Sequence, residues 1–109
     1  MSAATISTHV LDAAAGTPAA GMAVRVELLD GTEVVRGVTD DDGRIPGFGA
    51  AALGAGHHRI VFDTGGYFAA TGRKGFYPEV AITFTVEAAE HYHVPLLLSP
   101  YAYSTYRGS

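Results

Sequence analysis

The chain has 109 residues, of which 48% are hydrophobic and 17% are charged, a balance typical of one folded domain over residues 1–109 rather than of a disordered chain. Its net charge of −4 offers no basic surface to neutralise phosphates, so nucleic acid is not an expected partner. The absence of cysteine excludes disulfides, thiolate metal sites and a thiol nucleophile.

The sequence also argues against a membrane protein. The opening residues MSAATISTHVLD lack the charged start and apolar run of a signal peptide. The longest apolar stretch, residues 94–98, is too short to span a bilayer. We therefore expect a cytoplasmic protein with no membrane partner.

Alternation of apolar with polar residues, the pattern of half-buried strands, recurs along the chain. It predicts strands over residues 6–12, 24–28, 58–62, 79–86, 91–99 and 103–109. Dipeptides typical of turns lie at residues 30–31, 42–43, 65–66 and 99–100. The only predicted helix is a short one over residues 67–72, and Gly72 is expected to end it. Short strands at this spacing predict an all-β antiparallel sandwich or barrel.

Two of these strands carry an unusual outward face. In residues 6–12, Ile6 and Val10 point one way and His9 points the other. In residues 91–99 the core face is Tyr92, Val94, Leu96 and Leu98, whereas the opposite face is His91, His93, Pro95 and Leu97. A face that mixes leucine, proline and histidine should not lie fully in water, so we expect a partner subunit or a ligand site to cover it.

The histidines are the first candidates for chemistry. We expect His57 and His58 to be surface or strand-edge residues. His91 and His93 stand two positions apart on a predicted strand, which puts both imidazoles on one side. This spacing suits a zinc site completed by a third ligand from another strand, and it equally suits a catalytic pocket.

Arg44 follows the acidic turn of residues 40–43. We interpret this turn as a tight backbone turn, because a calcium loop would need an acidic residue where Leu53 stands. Arg44 either neutralises the turn or presents a planar donor to an anionic or carbonyl-rich ligand. The sequence contains no nucleophile elbow, phosphate loop or dinucleotide fingerprint.

Three segments together resemble the 5-hydroxyisourate hydrolase branch of the transthyretin-like family. They are STHVLD near the start, TDDDGR in the middle and HYHVPLLLSPYAYSTYRGS at the end. The resemblance runs over nearly the whole chain, and its closing Tyr-Arg-Gly-Ser is its most specific part, since transthyretin itself lacks the Arg-Gly-Ser end. The Ala/Gly-rich loop at residues 50–56 is peculiar to this sequence.

The resemblance implies a sandwich of two four-stranded sheets with one short helix. It also implies a homotetramer, built as a dimer of dimers, with active sites in the cleft between dimers. It assigns catalysis to His9, Arg44 and His93, and substrate binding to the last four residues, Tyr106, Arg107, Gly108 and Ser109. It requires no metal and no cofactor.

The implied reaction is hydrolysis of the cyclic amide of 5-hydroxyisourate, the product of urate oxidation. With no thiol or activated serine, water is the attacking group, and a neutral imidazole can take its proton. His9 is the candidate base, with His93 orienting water or carrying charge. Arg44 and the last residues would hold the substrate, because fixed donors at the developing oxyanion usually contribute the larger effect.

Two alternatives remain open. The first is a transthyretin-type carrier of small ligands. It is disfavoured because an apolar channel would not contain the polar residues His9, Arg44, His93 and Arg107. The second is a zinc-dependent hydrolase that uses His9, His91 and His93 as ligands.

Overall fold

The computed structural model describes residues 4–108, which form a sandwich of short strands. In this part of the chain the strands are β1 (Thr5–Ser7), β2 (Val10–Asp12), β3 (Thr17–Pro18), β4 (Ala23–Leu28), β5 (Glu33–Val38), β6 (Gly56–Phe62), β7 (Val80–Val86), β8 (His91–His93), β9 (Leu96–Ser99) and β10 (Ala102–Thr105). The helix α1 spans Thr64–Ala70, and a 3-10 turn spans Phe48–Ala50.

The strands form two four-stranded sheets, as predicted. One sheet has the order β5-β4-β6-β7 and the other has the order β10-β9-β2-β3, while β1 and β8 form a two-stranded ladder. The core between them includes Ile6, Val26, Ile60, Phe62, Leu96 and Leu98, all with no exposed surface. The predicted antiparallel pairing holds for the other strand pairs, but β1 pairs with β8, and β2 with β9, in parallel.

The predicted strand over residues 6–12 is two strands, interrupted between Ser7 and Val10. At the break Thr8 is buried and donates its hydroxyl to the carbonyl of Val94 at 2.7 Å. The alternation continues across the interruption, so Ile6 and Val10 remain in the core as predicted.

The predicted strand over residues 91–99 is interrupted in the same way, at Val94 and Pro95. Proline has no backbone N–H to donate to a sheet. The predicted core face, which begins at Tyr92 and ends at Leu98, is buried throughout. On the outward face, burial in the isolated chain increases from His91, which is exposed, through His93, which is half-buried, to Pro95, which is buried.

The helix begins earlier than predicted. It spans Thr64–Ala70 rather than residues 67–72, because Asp63 caps its first turn by accepting a hydrogen bond from the backbone N–H of Gly66 at 3.1 Å. The predicted turn at that position is therefore wrong. The predicted stop is confirmed, since Gly72 has a φ of 71° just beyond the last helical residues. No helix within residues 4–108 is long and apolar enough to cross a membrane.

A buried carboxylate ties this helix to the second sheet. Asp12 of β2 accepts hydrogen bonds from the Tyr67 hydroxyl at 2.7 Å, from the Arg73 guanidinium at 2.5 Å and from the backbone N–H of Ala15 at 2.9 Å. Burial by itself would raise the pKa of Asp12, but these hydrogen bonds and the charge of Arg73 outweigh it and lower the pKa to about 2. The carboxylate is therefore ionised, and it fixes the position of α1.

The two neighbouring histidines of β6 differ in burial. His57 is exposed, with its Nδ1 3.0 Å from the hydroxyl oxygen of Thr85. His58 is only 2% exposed and stacks on Phe84 with ring centroids 5.8 Å apart. The prediction that His58 is a surface or strand-edge residue is therefore wrong, because it shares the inner face of a central strand with Ile60.

The last predicted strand is shorter than expected. It ends at Thr105, whose hydroxyl donates to the carbonyl of Pro95 at 2.7 Å. Tyr106 and Arg107 are not part of a strand, so the predicted strand over residues 103–109 is wrong for these two residues. Ser109 lies outside the described residues.

Candidate active site

The parallel register of β1 and β8 brings two distant segments of the chain together. Ser7 pairs with His93, and the backbone N–H of Val94 donates to the carbonyl of Ser7 at 2.9 Å. The backbone N–H of Leu96 donates to the carbonyl of His9 at 3.0 Å. Because side chains alternate along each strand, the outward faces of both segments form one surface that carries His9 and His93.

The acidic turn delivers Arg44 to this surface. Arg44 forms an isolated antiparallel bridge with His9, and the backbone N–H of Val10 donates to the carbonyl of Gly43 at 2.8 Å. Asp40 closes the turn by accepting the backbone N–H of Arg44 at 3.0 Å. Gly43 has a φ of 76°, and a Cβ there would overlap the carbonyl oxygen of Val10, so the close approach requires glycine. The predicted tight turn is confirmed.

The end of the chain returns to the same place. Gly108 forms an isolated bridge with His93 and donates its N–H to the His93 carbonyl at 2.8 Å. A Cβ on Gly108 would collide with the Cδ2 atom of the His93 ring. The tail therefore lies flat against this imidazole, and a side chain at residue 108 would prevent that contact.

The two residues before Gly108 lie elsewhere. The Arg107 guanidinium is 2.6 Å from a carboxylate oxygen of Glu90 and 4.6 Å above the ring of Tyr92. Tyr92 lies on the core face of β8, opposite His93. Tyr106 is 59% exposed. The structure thus brings Gly108 to the histidines and Arg107 to the other face of β8. Substrate binding by the last four residues, Gly108 included, stays a prediction.

A chain of hydrogen bonds, missed by sequence reasoning, leads to His93. The Thr5 hydroxyl is 2.7 Å from Nδ1 of His91, the Ser7 hydroxyl is 2.7 Å from Nε2 of His91, and the same hydroxyl is 2.7 Å from Nδ1 of His93. Alternation already puts Ser7 on the outward face that carries His9. Only the pairing of β1 with β8, across 86 positions in the sequence, connects it to His93.

The surroundings of His93 favour its neutral form. Burial lowers the pKa of His93 below its usual 6.5, and the nearby positive charges of Arg44, His91 and His9 lower it further. His93 is therefore uncharged at pH 7. Its Nδ1 contacts Ser7, and within residues 4–108 no hydrogen bond engages its Nε2. This nitrogen can accept a proton.

The arrangement gives little support to a zinc site. Within residues 4–108 no group of three or more His, Cys, Asp or Glu side chains is placed to hold a metal ion. Both ring nitrogens of His91 are already hydrogen-bonded, one to Thr5 and one to Ser7. A zinc ion would have to displace one of these partners to bind His91.

The two packed sheets, the short helix and the polar cluster on an outward face define a β-sandwich of the transthyretin-like class. A family model described as the HIUase/Transthyretin family matches residues 6–108, and the chain belongs to this family.

Three comparisons illustrate the relationship. The chain is 40% identical over 111 residues to the 5-hydroxyisourate hydrolase of Mus musculus, covering 95% of this chain and 94% of that protein. The solved structure of Klebsiella pneumoniae 5-hydroxyisourate hydrolase superposes with a TM-score of 0.88 at 40% identity, covering 97% and 94% of the two chains. Sea bream transthyretin in complex with thyroxine gives a TM-score of 0.81 at 33% identity, covering 94% and 93%.

Proposed function

We propose that this protein hydrolyses 5-hydroxyisourate to 2-oxo-4-hydroxy-4-carboxy-5-ureidoimidazoline, a step of urate degradation. The observation that carries the proposal is the convergence of His9, Arg44, His93 and Gly108 on one outward face. Similarity to proteins named 5-hydroxyisourate hydrolase over nearly their whole length supports the same activity.

In the proposed reaction, water attacks the carbonyl carbon of the ring amide and gives a proton to a histidine. We assign the role of base to His93, because its lowered pKa favours the neutral ring at pH 7 and its Nε2 can accept a proton. His9 then orients the water. The sequence alone instead indicates His9 as the base, with His93 orienting water or carrying charge.

The tetrahedral intermediate carries a new negative charge on the former carbonyl oxygen. Arg44, brought beside His9 by the acidic turn, is suited to stabilise it, since a guanidinium presents fixed planar donors. Collapse of the intermediate breaks the ring C–N bond, and the protonated His93 returns its proton to the leaving nitrogen. The carbon retains the water oxygen and becomes a carboxylic acid, so the proposed reaction balances with water alone and uses no metal or cofactor.

The last four residues are proposed to close the site around the substrate. The described residue that supports this is Gly108, which lies against His93. In the isolated chain Arg107 is held by Glu90, and it would contact the substrate only after leaving or sharing that partner.

We further propose a homotetramer, a dimer of dimers, located in the cytoplasm. The isolated chain exposes aromatic side chains on and beside the edge strand β10, with Tyr101 68%, Tyr103 41% and Tyr106 59% accessible. Such rigid amphipathic rings suit a subunit contact. Analytical ultracentrifugation at micromolar concentration tests this, and a monomer would contradict it.

A carrier of small ligands is the second candidate, favoured by the similarity to transthyretin. It is weakened by the polar character of the surface that carries His9, Arg44 and His93, because binding sites for apolar ligands are lined mainly by apolar side chains.

The deciding experiment follows the ultraviolet band of freshly prepared 5-hydroxyisourate after addition of protein. We expect the band to disappear much faster than in the spontaneous reaction, and His93→Ala to remove the acceleration while His57→Ala keeps it. A strong chelator should leave the rate unchanged. No acceleration by the unsubstituted protein would contradict the hydrolase, and loss of activity with chelator that zinc restores would favour the zinc alternative.

A further inference from the structure

Two residues that the proposed reaction does not use form a hydrogen-bonded chain to its proposed base, in which Ser7 contacts His93 and His91 contacts Ser7. We propose that Ser7 and His91 are positioning residues, which hold the His93 ring with its proton on Nδ1 and its lone pair on Nε2. This inference rests on the proposed function, because it matters for catalysis only if His93 accepts a proton from water.

The hydrogen-bond inventory leaves two arrangements of protons in this chain. A serine hydroxyl has one proton to donate and two lone pairs. The Ser7 oxygen lies 2.7 Å from Nε2 of His91 and 2.7 Å from Nδ1 of His93. Ser7 can donate to only one of these nitrogens, so the other must carry its own proton and donate to Ser7.

The two arrangements have opposite consequences for catalysis. If Ser7 donates to His93, the neutral ring of His93 carries its proton on Nε2 and has no lone pair there. If Ser7 donates to His91, then His93 donates from Nδ1 and keeps a lone pair on Nε2. In this second arrangement His91 carries its proton on Nδ1 and donates it to the Thr5 hydroxyl, 2.7 Å away.

The charges around His93 favour the second arrangement. Arg44 carries a permanent positive charge, and this charge acts on His93. Ser7 occupies Nδ1, and within residues 4–108 no hydrogen bond engages Nε2. If Nε2 is the nitrogen nearer to Arg44, the positive charge of the guanidinium stabilises a lone pair there relative to an N–H dipole. His91 completes the arrangement, because its Nε2 accepts the hydrogen bond that Ser7 donates.

The direct test is the tautomer of His93, observed by two-dimensional ¹H–¹⁵N NMR of histidine-labelled protein without substrate at a pH where the ring is neutral. We expect His93 with its proton on Nδ1 in the unsubstituted protein. We expect Ser7→Ala and His91→Phe to shift His93 towards the form with its proton on Nε2, since the first removes the acceptor of the Nδ1 proton and the second leaves Ser7 free to donate to His93.

The kinetic test uses the same variants. Ser7→Ala removes the neutral hydrogen bond that holds His93 and should lower kcat about tenfold with KM nearly unchanged. Ser7→Thr keeps the hydroxyl and should preserve both kcat and the tautomer. The matched control is Thr85→Val, which removes the hydroxyl partner of another histidine, the exposed His57. It should leave kcat unchanged.

The outcomes separate this inference from the proposed function. Unsubstituted protein that does not accelerate hydrolysis would contradict the function, whatever the tautomer. Active protein whose His93 carries its proton on Nε2, or whose Ser7→Ala variant keeps both its tautomer and its kcat, would overturn the positioning role alone. If Ser7→Ala does not fold, His91→Phe decides by the same two measurements.

Discussion

Gly108 lies directly against the imidazole of His93, fifteen positions earlier in the chain, and donates its N–H to the His93 carbonyl at 2.8 Å. A Cβ at residue 108 would overlap the ring. Either the tail or the ring must therefore move when this glycine is replaced.

The first prediction follows from that overlap. Gly108→Ala should lower kcat/KM about a hundredfold, because a displacement of about 1 Å in a catalytic group has an effect of this size. The measurement is the initial rate of loss of the substrate's ultraviolet band. The matched control is Gly54→Ala, where a Cβ meets no atom within 4 Å and φ is not positive, and this variant should keep full activity. A fully active Gly108→Ala would show that the tail does not need to lie against His93.

The second prediction concerns the pH dependence of activity. Burial and the charges of Arg44, His91 and His9 lower the pKa of His93 below 6.5, and the base must be neutral. Activity is therefore present above this lowered pKa and is lost as pH falls through it, so the acid limb of kcat/KM should lie below pH 6.5. Arg44→Met removes one positive charge and should move the limb to higher pH, apart from its effect on the maximal rate.

Arg44→Lys is the matched control for this shift, since it keeps the charge but not the planar donors. Its acid limb should remain where it is in the unsubstituted protein, even if its maximal rate falls. An acid limb that does not move in Arg44→Met would mean that another group controls the profile.

The third prediction concerns acid stability. The pKa of Asp12 is about 2 in the folded chain against an ordinary 3.8, so its contribution to the free energy of unfolding is present above pH 3.8 and is lost as pH falls towards 2. The loss should be at most about 2 kcal/mol. Urea unfolding at pH 7, 4 and 2.5 measures it.

Tyr67→Phe is the informative variant for that experiment. It removes one hydrogen bond to Asp12 while the salt bridge to Arg73 remains, and it should reduce the free energy of unfolding at pH 7 by about 1 kcal/mol. The loss of stability between pH 4 and 2.5 should become smaller in this variant. An unchanged acid dependence would show that Asp12 does not control it.

The fourth prediction separates two roles of Arg107. Its pairing with Glu90 is between exposed side chains, and such pairs contribute about 0–1 kcal/mol. Glu90→Gln releases Arg107 and should therefore change kcat/KM by less than about fivefold, with any change being an increase. Arg107→Ala also removes the stacking on Tyr92 and the proposed contact with substrate, and it should have a clearly larger effect, mainly on KM. Equal losses in the two variants would mean that Arg107 acts only through Glu90.

The fifth prediction uses the neighbouring histidines of β6. His58 is buried against Phe84, and His58→Ala should reduce the free energy of unfolding by about 2–4 kcal/mol through the cavity it leaves. His57 is exposed, and His57→Ala should change stability by less than about 0.5 kcal/mol. Thermal unfolding compares the two. A similar melting temperature for both variants would contradict the difference in burial.

Local patterns in the sequence were sufficient for much of the fold. Alternation placed Ile6, Val10 and Tyr92 in the core and His9 and His93 on the outward side, because successive side chains of a strand point to opposite faces whatever the strand pairs with. The stop at Gly72 was likewise readable, since a left-handed conformation after a helix strongly favours glycine.

Local patterns gave wrong predictions where the same short stretch of sequence is compatible with two structures. The pair Gly65 and Gly66 indicated a turn, but Asp63 caps a helix there. His58 was expected to be a surface or strand-edge residue, yet the alternation that buries Ile60 also buries His58. In both cases the neighbouring residues carried the deciding information, and the residue type alone was misleading.

The candidate site depended on the tertiary structure in a different way. The sequence, through its resemblance to a family, named His9, Arg44, His93 and the last residues as candidates. Only the parallel register of β1 with β8 puts Ser7 between His91 and His93, and only the bridge from Gly108 to His93 brings the tail onto the proposed base. Such a register is decided by the packing of all the strands into one sandwich, and no short stretch of sequence contains it.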